Sequence, residues 1–204
     1  MERQRARTFV VRLMLFLAGA SGVLLAADRA PRIESQGAES CLTCTRAADV
    51  EACHRKAVRL AEERDYQAAI AIEERVHALQ PGNAEAAAAL AKMYEQGPKN
   101  VVRAVALYHH ALGVSSGFPP ALLGLGSIMQ DQGKMEIAER YFARGAKERP
   151  DLPIFRVRQA DVLLALGRGE EARPILRDIV EKWPNTGEAE SARKMMSRTT
   201  LARP

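Results

Sequence analysis

From residue 50 to residue 186 the apolar positions recur at helical spacing, without the strict alternation of a half-buried strand. The stretch QAAIAIEERVHALQPGN, residues 67–83, is one instance: an amphipathic helix that stops at a proline. Its landmarks repeat. Ala69, Ala104, Ala138 and Ala172 follow one another at intervals of 35, 34 and 34 residues, and Pro81 is answered in the same frame by Pro150 and Pro184. The preceding helix obeys the same period through Ala57, Ala91, Gly126 and Ala160, each small enough for two helices to approach closely. The pattern predicts two helices of about a dozen residues per unit, too few to bury an apolar face alone, so stacked neighbours must supply the core. Units are expected at residues 50–83, 84–118, 119–152 and 153–186. Arg64-Asp65, Gly133 and Gly167 turn the chain inside units, and proline ends the second helix of a unit, with Ser116 in that place in the second. Pro174 falls inside a helix starting near Gly169, where it is expected to remove only an N–H that a first turn leaves free. GEAESARKMMSR, from Gly187, predicts a last helix capping the fourth unit, with RTTLARP as a frayed tail, all within residues 187–204.

A helix–turn–helix period of 34 residues resembles the tetratricopeptide repeat family, here of an exported bacterial type. The third unit carries the resemblance through Leu125-Gly126, Met129, Gly133, Ala138, Phe142 and Pro150, and the fourth through Ala160, Leu163, Gly167, Ala172, Leu176 and Pro184. The first matches at Ala57, Leu60, Asp65-Tyr66, Ala69 and Pro81. The second has Leu90-Ala91, Tyr94, Ala104, Tyr108 and Ala111, but one extra residue in EQGPKNVV, wording similar to the Sel1-like repeats that lengthen the same turn. The resemblance implies an all-α, right-handed α-solenoid over residues 50–186. It also implies a concave groove, lined by the first helix of each unit, that binds a protein partner's extended peptide or amphipathic helix. Carried onto this sequence, the groove presents His54, Val58 and Glu62; Ala88, Lys92 and Glu95; Leu123, Ser127 and Gln130; and Val157, Asp161 and Leu164. Its first half offers small and charged side chains, its second a more apolar surface. Val58 and Ala89 stand where the family's clamp for chaperone tails has asparagine, so that ligand is not expected.

Composition supports the helical reading: 5 % of the chain is aromatic and alanine is abundant, which suits close-packed helices better than a sheet core. The formal charge of +5 on 204 residues changes meaning once divided, because residues 1–27 carry +3 of it. In the rest both signs are interspersed, without the basic face of a nucleic-acid binder. Residues 1–27 show four arginines, an uncharged run from Leu13 to Ala27 and small residues at its end, the layout of an export signal. Fifteen helical residues span ~22 Å, short of a bilayer core about 30 Å thick, which suits a cleaved signal peptide. Begun at Phe9, with Arg12 snorkelling, residues 9–27 also suit a single-span anchor in an inner membrane. In either case the remainder is expected in the periplasm or at the cell envelope.

Residues 28–49, with ESCLTCTRAADVEACH running past them, hold the candidate chemistry: Cys41, Cys44, Cys53 and His54. Thr45 after the second cysteine is wrong for haem attachment, and Cys41-x-x-Cys44 lacks the βαβ context of a thioredoxin site. Adjacent Cys53 and His54 project differently from a helix, which disfavours zinc. In an oxidising compartment a disulfide from Cys41 or Cys44 to Cys53 is expected, clamping residues 28–52 as an N-terminal cap. His77, His109 and His110 read as solvated surface, Ser127 has no base, and Gly124-x-Gly126 belongs to helix packing. The sequence therefore predicts a non-enzymatic scaffold without cofactor, metal or small-molecule substrate, engaged in assembly, secretion or biogenesis of an envelope complex. The alternative is a redox or metal protein built on the cysteine segment, discriminated by metal content.

Overall fold

The computed structural model describes residues 47–201, all within one compact unit. The described residues form nine α-helices and no strand. In chain order these are α1 (Ala47–Glu62), α2 (Tyr66–Leu79), α3 (Ala84–Gln96), α4 (Val101–Val114), α5 (Pro119–Asp131), α6 (Met135–Glu148), α7 (Pro153–Ala165), α8 (Gly169–Lys182) and α9 (Gly187–Leu201). Each helix packs chiefly on its neighbours in sequence, with lighter contact between α1 and α3, α3 and α5, and α7 and α9. The fold is an all-α helical repeat of four helix pairs and a closing helix.

The periodic small residues explain why the pairs close so tightly. Ala57, Ala91, Ala160, Ala69, Ala104, Ala138 and Ala172 are all fully buried, and Gly126 is buried with them. A methyl group on Gly126 would meet the Phe142 ring, and one on Gly145 would meet Phe155, which crosses from α7 onto α6. Unit junctions are set by caps. Asn83 accepts from the amides of Glu85 and Ala86, and Asn100 from that of Arg103, whereas α5 and α7 begin on Pro119 and Pro153, whose missing N–H is one a helix start leaves unpaired anyway. Pro81, Pro150 and Pro184 each stand two residues beyond a second helix, as expected from the period.

The turn of the second unit takes four residues, 97–100, against three in the other units, in keeping with the extra residue in EQGPKNVV, and Lys99 is left-handed within it at φ 53°. Three other details depart from the sequence reading. Pro174 lies in the second turn of α8, because the first i→i−4 bond is already made by Ala172 to Arg168; the residue therefore removes a bond to Glu170. Both Pro174 and Glu170 are exposed, so water can serve that carbonyl, and α8 runs on unbroken. Finally, α9 continues to Leu201, beyond Arg198 where the tail was expected to begin. At the other end α1 starts at Ala47, three residues before residue 50.

Candidate functional site

The first helices α1, α3, α5 and α7 bring most of the expected groove residues to two adjoining depressions. Val58 and Glu62 of α1 face Lys92 and Gln96 of α3 across a small one of about 140 Å³, floored by Ala61, Ala89 and Met93. Lys92 and Gln96 also edge the next, about 490 Å³, together with Glu95, Leu123, Ser127 and Arg158. Ala88 lines the second depression but is only 3 % exposed, so it shapes the floor and offers almost no contact surface. Beyond it, Gln130 Nε2 donates to Asp161 Oδ2 at 3.3 Å, tying α5 to α7.

Three expected groove positions serve the interior. Val157 is 7 % exposed and packs with Ala160 and Leu163 in the last core cluster; Leu164 leans on the same cluster, half-buried. His54 is turned across to α2, where its Nδ1 lies 2.8 Å from Glu73 Oε1. That bond raises the imidazole's pKa by favouring its charged form. Glu73 is completely buried and its Oε2 has no hydrogen bond, so burial raises its carboxyl in spite of the histidine. No sequence signal marked Glu73, a charged residue within an otherwise ordinary amphipathic helix.

The second depression owes its shape to Tyr108 and Gly124, in keeping with the helix packing expected at Gly124. Tyr108, buried on α4, lies against Gly124, where a β-carbon would collide with its ring. Its hydroxyl thereby reaches α3 and donates to Glu95 Oε2 at 3.0 Å. Burial, ahead of that bond's opposing effect, raises the Glu95 carboxyl. Arg158, Gln96 and Pro120 are further lining residues that the repeat pattern did not single out.

The histidines of the second helices are not all solvated. His77 stands edge-on to His110 with ring centroids 5.0 Å apart, and its Nδ1 is buried without a hydrogen bond. Burial, then the neighbouring His110, lowers its pKa. His110 Nε2 lies 2.7 Å from the Pro81 carbonyl, and exposed His109 leans toward Tyr141. Cys53 is 2 % exposed in the first core cluster with Val50, Ala57, Ile72 and Met93. Cys41, Cys44 and the whole of residues 1–46 lie outside the described residues, and so does the expected export segment. Among the described residues no helix is long and apolar enough to cross a membrane, and no cluster of three or more metal-ligating side chains occurs.

Comparison with known proteins agrees with the repeat. Residues 123–185 match the family described as Tetratricopeptide repeat, covering nearly all of the third and fourth helix pairs. No protein of curated function matches the chain. Among solved structures, one of Pseudomonas aeruginosa pilF superposes with a TM-score of 0.64 at 15 % identity, over 81 % of this chain and 72 % of that one. A mutant of MamA gives 0.54 at 21 % identity over 72 % of this chain and 86 % of that one; MamA of AMB-1 gives 0.55, also at 21 %, over 76 % and 86 %. Likeness at such identities establishes the fold alone.

Proposed function

We propose that this chain is a non-enzymatic scaffold that binds a segment of a partner protein along the face made by α1, α3, α5 and α7. Tetratricopeptide repeats generally mediate protein–protein interaction, and residues 123–185 bring that expectation to this chain. The observation that carries the reading is the continuity of the two depressions through Lys92 and Gln96, with Leu123 as an accessible apolar anchor. Exposed polar groups beside a half-buried aliphatic side chain are what a docked peptide needs for specificity and affinity together.

The place of action we propose is the cell envelope, with residues 1–27 directing export or holding the chain in the inner membrane and the repeats on the periplasmic side. The basic cluster followed by the run Leu13 to Ala27 supports this. A disulfide from Cys41 or Cys44 to Cys53, clamping residues 28–52 as an N-terminal cap, belongs to the same reading. It is supported by the oxidising compartment that export implies, together with the placement of Cys41, Cys44 and Cys53 within thirteen residues at the start of the array.

The test is crosslinked co-purification of the full-length protein from membranes, beside a Leu123→Glu variant whose folding is checked by its helical circular dichroism. Recovery of one defined complex by the parent and its loss in the variant is the expected result. Equal recovery by the folded variant removes the face from consideration.

A further inference from the structure

The depression between α3, α5 and α7 carries positive charge that the protein does not answer. Lys92 and Arg158 line it from opposite sides in sequence, both are exposed, and neither has a hydrogen bond or ion pair among the described residues. Cations elsewhere on the surface are often neutralised in place: Arg144 by Glu148, Arg168 by Glu171, Arg103 by Glu74. Among the described residues the one carboxylate lining this depression, Glu95, is half-buried and already accepts the Tyr108 hydroxyl. One carboxylate thus stands against two cations, and its hydrogen bond is already made. Beside them Leu123 and Pro120 provide an aliphatic patch, and Ser127 and Gln96 provide uncommitted polar groups.

We infer that this face recognises an acidic segment of its partner: an Asp or Glu directed at Lys92 and Arg158, with an adjacent aliphatic side chain seated on Leu123. The inference rests on the first-helix face being the binding surface and specifies its ligand. A basic segment would meet like charge, and a neutral one would leave both cations without a partner. Nucleic acid fits poorly, since among the described residues the one aromatic ring lining the depression, Tyr108, is 3 % exposed and offers no stacking platform. The aliphatic patch likewise favours a peptide over a bare phosphate.

The experiment is selection of random decamer peptides displayed on phage against the full-length protein in detergent. Winners are then synthesised with acetylated and amidated ends, so that only side chains carry charge, and titrated by fluorescence anisotropy. The expected winners hold Asp or Glu next to Leu, Ile, Val or Met. Their affinity falls about tenfold in Lys92→Glu and in Arg158→Glu, and weakens as salt is raised. Because both residues are exposed, these variants keep the parent's helical spectrum and melting temperature. Winners that lack acidic residues, or that bind both charge-reversed variants as tightly as the parent while losing affinity for Leu123→Glu, overturn the acidic ligand and leave the face standing. Absence of any selected peptide, or undiminished binding by folded Leu123→Glu, overturns the face and the inference together.

Discussion

At the scale of single residues, the turns show how far a repeat dictates its own chemistry. Gly133 and Gly167 occupy the left-handed region at φ 72° and 73°, and Arg64 holds the corresponding place in the first unit at φ 67°. A β-carbon in that region costs about 1–2 kcal/mol, which glycine avoids. Gly133→Ala is therefore expected to lower stability by ~1 kcal/mol or more, and Arg64→Gly to leave it unchanged or raise it by less than that, since glycine also frees the unfolded chain. Urea midpoints decide it, and equal loss in both variants would refute the conformational account. The Gly133 and Gly167 turns were readable because glycine announces them; Lys99 was not, because a lysine can be left-handed only where the surrounding turn compels it. The buried pair His54–Glu73 was equally silent, since its burial depends on α1 and α2 meeting. Both groups have raised pKa values in the folded state, so the native protein binds more protons than the unfolded chain. Stability from the pair is full below the ordinary value of 4.5 for Glu and declines as pH rises past it and on through the raised histidine value above 6.5. Glu85 and Glu51 add to the effect on His54. Melting temperature should thus fall more between pH 5 and pH 8 in the parent than in Glu73→Gln, a comparison in which the opposite contribution of His77 cancels. Parallel pH profiles would dismiss the pair as the source.

The helix is the scale at which the sequence spoke most plainly. Junctions after residues 83, 118, 152 and 186 coincide with the starts of α3, α5, α7 and α9, because each depends on a local signal: an asparagine cap, a proline at a helix start, or a proline two residues past a helix end. Contacts between helices were less visible. Gly145 looks unremarkable in sequence, 19 residues after Gly126, yet Phe155 from the next unit lies where its side chain would be. Gly145→Ala should therefore cost about 1–3 kcal/mol by overpacking, even though alanine is the better helix former by ~1 kcal/mol. Thermal unfolding that shows stabilisation instead would mean that the α6–α7 junction yields easily. Pro174 makes the converse case within α8. It forfeits a bond in the second helical turn at an exposed position, and Pro174→Ala should stabilise by ~1–3 kcal/mol, as a rise in denaturation midpoint.

For the whole molecule, the period predicted the order in which the helices stack, while the expectation that first helices line the candidate face came from the resemblance. Neither could say which positions on that face the neighbouring unit would cover. Ala88, Val157 and much of Leu164 went inward because α5, α8 and α9 close over them, and Arg158 stayed outside for the same reason. Coverage is set one neighbour at a time, since each helix packs almost wholly on those adjacent in the chain. Stability should be distributed in the same manner. Ala189 and Ala192 of α9 are fully buried on the cluster of Leu176 and Ile179, so deletion of residues 187–204 uncovers the fourth pair while leaving the contacts of the first two intact. The expected cost is roughly 3 kcal/mol, the worth of exposing one or two large apolar side chains. Native-state hydrogen exchange is expected to quicken in α7 and α8 and to change little in α1 to α4. A uniform loss of protection would show instead that the four pairs unfold as one cooperative block, and that the junction at Gly145 and Phe155 transmits stability across the array.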